Sequence, residues 1–559
     1  MRIGEYLTSV RQKLGVVQER YVRMAVMLLY AVLHLLMAIV HEPWFDEAEA
    51  WQIAKSASLQ TLLTEVTHYE GHPPLWHLIL MPFAKAGAPY ELSLTLISLA
   101  FTGVAVYLIL RFSPFPLWVR VTLPFTYFFF YQYSVIARVY CVMMLEFVLL
   151  AMAYKYRNTK PVWYVGVMML ICVTNAYGIV LAGGLSIVWL WEIWREHCRK
   201  GFRWKSLVCD RRLWYLAGLL LVALMVICQI MPREDTYATS SRGLCEVRNP
   251  FWLRLLYMIL ILPADVTMTN VFSDNGFLSM TDFMPISLVS GCIMGIIILG
   301  LIIYFGRKEH TLCLLAVPYL LFSFFAAVVY FALHHTGIGF FFLLFWIWVS
   351  VEKQKRSGEI PELQLNKSIL NIAKGMVILS LCVSISWSIS SCVFDIDREY
   401  SVGRSMAAFV KEYHLDQYRI MAAWKVARDE EGEIIARDTN FFEGIVEIAP
   451  YFDKNIGYNF NYGRDDQNYV THISADEEQN AIAYETWKKE GYPEVLLMQP
   501  DLSDLYDADE LSMRDYALVY CAPSEMVWKN TSEYYVNYIY VRRELLEEIG
   551  IEEINVHNL

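Results

Sequence analysis

The chain has 559 residues, 56% of them hydrophobic and 15% aromatic, with only 18% charged. That balance excludes an ordinary soluble globular protein and fits a polytopic membrane protein. The net charge of −11 gathers in the last third of the chain, rich in Asp and Glu, and argues against a nucleic-acid partner.

Arg2, Arg11, Lys13, Arg20 and Arg23 precede the first apolar run, 24–40. The run is long and has no small-residue cleavage site, so it reads as a retained membrane helix that starts in the cytoplasm. Just beyond it lies Pro43-Trp44-Phe45-Asp46-Glu47-Ala48-Glu49-Ala50-Trp51, followed later by Gly71-His72-Pro73-Pro74-Leu75. Pro43 suits a helix entry. A helix from Trp44 puts Asp46, Glu49, Ala50 and Ile53 on one face and stacks Glu47 over Trp51. Trp44 and Trp51 are expected at headgroup depth as interfacial anchors.

The run 75–84 is too short to span and reads as re-entrant or interfacial. Spans are expected at 91–110, 117–131, 135–154, 162–174, 179–194, 213–230, 286–304, 312–333, 338–351 and 370–393. With the first, that makes about eleven. Basic loops after alternate spans, above all 195–212, place the N-terminus in the cytoplasm and the C-terminus outside. The segment 231–283 is a long outer loop with a semi-apolar piece at 251–262. Residues 1–393 thus form a transmembrane domain. Residues 394–559 form an extracytoplasmic α/β domain, with strands expected at 418–424, 494–498, 516–521 and 534–541 and helices at 405–413 and 475–489. The eleven cysteines lack metal-ligand spacing, and most lie in apolar runs as small hydrophobes. Cys245, Cys392 and Cys521 fall outside, where a disulfide among them is open.

This topology brings distant residues to one membrane level. Asp46, Glu47, Glu49 and His72 share the outer interface with Arg138 and Tyr140, with Asn175 and Tyr177, and with His334 and His335. Ionisable groups at that depth are costly unless they pair or line a wet cavity, so function is the default reading. Carboxylates facing Arg and His suit transfer from a phosphate-linked donor: the cation holds the departing phosphate and a carboxylate takes the proton of the attacking hydroxyl.

Phe45-Asp46-Glu47, Gly71-His72-Pro73-Pro74-Leu75, the segment Tyr133-Ser134-Val135-Ile136-Ala137-Arg138-Val139-Tyr140 and Thr174-Asn175-Ala176-Tyr177-Gly178 together resemble the membrane-embedded GT-C glycosyltransferases. That superfamily includes the protein O-mannosyltransferases, the aminoarabinose transferases of lipid A and many bacterial homologues. The resemblance covers roughly 24–393, and Asn175 stands where the family more often has histidine. It implies a polyprenyl-phosphate sugar donor, transfer with inversion, and a lipid, glycan or protein acceptor. It casts Asp46 as base or acceptor-orienting group, with Glu47 completing the acidic pair. Arg138, His334 and His335 would bind the donor phosphate, and Glu49, His72, Tyr140 and Tyr177 would line the substrate. The sequence itself fixes no cofactor and leaves a divalent metal open. The competing class, a transporter or flippase of a lipid-linked or anionic substrate, would carry ionisable or broken spans near the bilayer midplane. Glu146 is the clearest acid there and has no evident partner in the sequence. A receptor or assembly scaffold would rest on the C-terminal domain alone.

Overall fold

The computed structural model describes residues 3–234, 236, 250–271, 285–329, 331–357, 366–422, 425–428, 434–438, 443–457, 489, 491, 493–498 and 515–554. The fold is mostly helical, with a small sheet near the C-terminus. Among the described residues, seven helices are long and apolar enough to cross a membrane: Gln18–Val40, Tyr90–Phe112, Ala176–Arg199, Arg211–Ile230, Ser287–Lys308, Leu333–Arg356 and Lys367–Asp397. Three shorter apolar helices, Tyr140–Tyr154, Pro161–Thr174 and Leu312–Val328, complete the bundle.

Two expected spans are not continuous helices: the helix that begins at Leu312 ends at Val328, short of the 333 expected, and a second run breaks internally. The run 117–131 breaks into a helix Leu117–Thr122, a 3₁₀ turn Leu123–Phe125 and a π-helix Phe128–Val135. Pro124 lacks an N–H and disfavours helical backbone at the residue before it, which accounts for the break. Every residue of the π-helix is buried. Ser134 pins it to two spans: its Oγ bonds Tyr30 and His34 at 2.8 Å and Thr102 at 3.0 Å, and its carbonyl accepts from Ser98 Oγ at 2.6 Å. The next helix accordingly starts at Tyr140 rather than 135. Glu146, without an evident partner in the sequence, accepts a 2.6 Å hydrogen bond from Thr174 Oγ1.

Between the first two spans, the helix Phe45–Ser56 packs on Leu75–Lys85. Trp44 and Trp51 are buried within the protein, not at a lipid boundary. Trp44 meets His334 and Trp51 meets Tyr90, because the two short helices fold over the bundle and cover both indoles. Two glycines permit close approach. A Cβ at Gly184 would lie 2.4 Å from Pro318 Cα, and one at Gly337 would lie 2.5 Å from the Tyr133 ring. The first lets Ala176–Arg199 press onto Leu312–Val328.

After the last span, a four-stranded sheet runs in the order β1-β4-β6-β5, with β1 (Ile420–Ala422), β4 (Val495–Met498), β5 (Tyr516–Trp528) and β6 (Thr531–Arg542). β1 and β4 are parallel, with Ile420 opposite Val495; β6 is antiparallel to both its neighbours. A separate hairpin joins β2 (Lys425–Arg428) and β3 (Ile434–Asp438). The expected strands are present, and the last two are longer than expected. The helix Gly403–Glu412 answers the one expected at 405–413; residues 475–488 of the helix expected at 475–489, and Cys245, fall outside the described residues. Cys392 and Cys521 are free thiols.

Two seams tie sheet to bundle. Arg404 reaches Glu42 at 3.0 Å and grips both oxygens of Glu91 at 3.0 and 3.1 Å. At the tip of the β5–β6 hairpin, Lys529 (φ +56°) is fully buried. Its Nζ donates to Asp265 O at 2.6 Å and Thr269 O at 2.9 Å and pairs with Asp265 Oδ2 at 3.2 Å.

Candidate functional site

The helix Phe45–Ser56 is entered through Trp44 in extended conformation. Glu47, in its first turn, accepts the Trp44 N–H at 3.2 Å, the capping interaction expected of an acid there. Its other oxygen accepts the Ala137 N–H at 2.6 Å, and His41 Nε2 lies 3.4 Å from Oε2. Glu47 is therefore saturated by backbone and imidazole. It is a brace between the first loop and the Ala137-Arg138 segment.

Asp46 precedes the brace and Arg138 follows its far anchor. The two side chains form an ion pair, both partly accessible. The guanidinium lies 5.9 Å from the Trp44 ring, within cation–π range. Trp44 meets His334 edge-on at 6.2 Å, and His334 and His335 sit 4.1 Å apart. Tyr140 approaches both histidines at 5.9 and 6.0 Å, and Tyr177 approaches His335 at 4.9 Å. Asn175 Oδ1 caps the helix carrying Tyr177 by accepting its N–H at 2.9 Å. Tyr133 stacks on Tyr140 at 4.7 Å and donates to the His334 carbonyl at 2.7 Å. The structure thus brings Asp46, Arg138, Tyr140, Tyr177, His334 and His335 into one contiguous cluster, and both histidines are buried.

The Ala332 N–H donates to His335 Nδ1 at 2.9 Å. A ring nitrogen that accepts carries no proton, so His335 is neutral in this arrangement, with its proton on Nε2. Glu49 is buried one helical turn beyond Asp46. His72 stands at the edge of the cluster, its ring stacked on His77 at 5.4 Å and its Nε2 3.5 Å from Glu70 Oε2. Among the described residues, no three His, Cys, Asp or Glu side chains are placed to hold a metal ion.

Sequence reasoning missed Trp44 as a wall of the cluster, and it missed a buried chain behind it. His41 Nδ1 lies 2.9 Å from Asp395 Oδ2, which also accepts from Tyr131 at 3.2 Å. Burial alone would push the His41 imidazole down, but the carboxylates of Asp395 and Glu47 hold its protonation well above the usual range. Beside it, burial pushes Glu42 up to about 7, against the opposing pull of the Tyr400 N–H and Arg404. The adjacency of His41 to the acidic motif was the one available signal; Asp395, 354 residues away, gave none.

No family model, curated protein or solved structure matches this chain.

Proposed function

We propose that the protein is an integral-membrane glycosyltransferase that moves a sugar from a polyprenyl-phosphate donor to a hydroxyl acceptor at the extracytoplasmic face. In this reading about eleven segments cross or enter the bilayer, the N-terminus is cytoplasmic and the sheet lies outside. The observation that carries it is the accessible Asp46–Arg138 pair walled by Trp44, Tyr140, His334 and His335.

Without donor, Asp46 neutralises Arg138. A donor phosphate competes for the same guanidinium, whose fork geometry suits phosphate oxygens. Taking Arg138 releases Asp46 to accept the proton of the acceptor hydroxyl. The acceptor oxygen then attacks the anomeric carbon as its bond to the phosphate oxygen breaks, inverting that centre. The electron pair leaves with polyprenyl phosphate, whose added charge is offset by Arg138 and by the Nε2–H of His335. The tyrosines and Trp44 supply flat, partly apolar walls of the kind that bury ligands with a few polar contacts.

The test is purified protein in lipid vesicles with radiolabelled polyprenyl-phosphate sugars and candidate lipid, glycan and protein acceptors. Sugar should pass to one acceptor with release of polyprenyl phosphate, and Asp46→Asn should stop it. Movement of intact donor across the bilayer, with the sugar–phosphate bond never broken, would identify a flippase instead.

A further inference from the structure

Resting on that reading, we propose that His41 is a positioning residue: it carries the placement of the last span, through Glu47, to both charged walls of the site. The chain of contacts is unbroken. Asp395, near the C-terminal end of Lys367–Asp397, holds His41 Nδ1 at 2.9 Å; His41 Nε2 faces Glu47 Oε2 at 3.4 Å; Glu47 Oε1 takes the Ala137 N–H at 2.6 Å. Glu47 sits next to Asp46 in sequence and Ala137 sits next to Arg138. One carboxylate therefore sets the spacing of the two groups that form the ion pair.

His41 is held by more than its two carboxylates. Tyr400, the third residue after the last span, lies 4.9 Å from its ring, and Asp395 is fixed further by Tyr131. Its neighbour Glu42 is bound by Arg404 and by the Tyr400 N–H at 3.1 Å. With a carboxylate at each ring nitrogen, both nitrogens donate, which only the imidazolium can do. A buried carboxylate answered by a cation and two N–H donors keeps one geometry, because each lost contact leaves a buried charge uncompensated. Residues entering from the soluble sheet side, Tyr400 and Arg404, thereby bear on the spacing of Asp46 and Arg138 without touching either.

The test uses the full chain in lipid nanodiscs, with two readouts. The first is the amide signal of Ala137 in selectively labelled protein, identified by its loss in Ala137→Gly. His41→Gln and Asp395→Asn should each shift it upfield as the short bond to Glu47 lengthens, while the melting temperature of at least one variant stays near that of the unaltered protein. The second is a cycle of turnover measurements. His41→Gln should slow transfer on the order of 10²-fold, as misplacement of reacting groups does. In the Glu47→Gln background His41→Gln should slow it no further, because the effect passes through Glu47. An unmoved Ala137 amide in both variants, or losses that multiply in the double variant, overturns the proposal. If the unaltered protein transfers no sugar to any acceptor, the transferase reading falls, and the amide signal still upholds or overturns the coupling.

Discussion

Two acid–base pairs, Lys529–Asp265 and Arg138–Asp46, invite comparison because they satisfy the same chemistry in opposite ways. Lys529 and Asp265 are both 0% exposed, and the ammonium has three acceptors for its three protons. Asp265 in turn accepts from Tyr257 at 3.0 Å and from the Val271 N–H at 3.1 Å. Nothing is left over for a ligand. The side chains of Arg138 and Asp46 keep 13% and 22% of their surface, and the walls around them are aromatic rings and histidines. A completed, dry pair rivets two parts of a fold. A pair that water can reach is able to exchange one partner for a substrate.

The sharpest break between the two is expected at Asp46. Asp46→Asn should lower turnover by about 10²–10⁴-fold, the usual loss for a missing general base, with the melting temperature nearly unchanged. Near-normal turnover would remove Asp46 from the chemistry. At the rivet the reverse should hold. Lys529→Ala leaves Asp265 buried without its cation and should cost about 3–5 kcal/mol, seen as a lower melting temperature and faster proteolysis of the β5–β6 hairpin. Replacing both partners, as Lys529→Met with Asp265→Leu, should recover much of that loss, since an apolar pair of similar volume is often neutral. A Lys529→Ala variant as stable as the unaltered protein would show that the hairpin is not held by this pair.

Arg138→Lys sharpens the comparison further. It keeps the charge but loses the planar fork. If the guanidinium grips a phosphate, turnover should fall about tenfold, the worth of one charge-assisted hydrogen bond. Arg138→Ala should fall further. Equal kinetics for Lys and Arg would leave Arg138 a mere counter-ion to Asp46.

The long helices were legible because twenty or so apolar residues in a row have few alternatives. The acidic motif, Arg138 and the paired histidines were legible as candidates because charge and imidazole are conspicuous in an oily chain, and loop charges suggested which ends belong together. Four features were not. The break at Pro124 hides in a run whose hydropathy suits a span, since hydropathy is blind to a missing N–H. Trp44 and Trp51 follow the pattern of interfacial residues, and only the fold of Phe45–Ser56 over the bundle covers them. Glu47 looks like a twin of Asp46, yet its neighbours are Ala137 N–H and His41, both supplied by tertiary structure. The Asp395–His41 and Lys529–Asp265 contacts join residues hundreds of positions apart, and a single sequence carries no trace of such pairs.

The smallest expected effect concerns Glu42, at the seam between bundle and sheet. Its folded value of about 7 stands above the ordinary 4.5, because burial penalises the carboxylate more than Arg404 and the Tyr400 N–H reward it. The folded protein therefore holds a proton that the unfolded chain gives up between pH 4.5 and 7, and this contribution to stability is lost as pH rises through that window. Depressed carboxylates such as Glu494, held low by Arg419 against its own burial, act in the opposite sense and mask the trend in the raw melting curve. The difference between the unaltered protein and Glu42→Gln isolates it: the variant's advantage should grow from pH 4.5 to 6.5 and level off above 7. His41 has the same sign, since its folded value is also raised, but it is present in both proteins and its contribution cancels in their difference. The interval below 6.5 thus belongs to Glu42. A melting difference that stays constant across pH 4.5–6.5 would mean that Arg404 keeps Glu42 ionised, and that the seam between sheet and bundle is as fully paired as the rivet at Lys529.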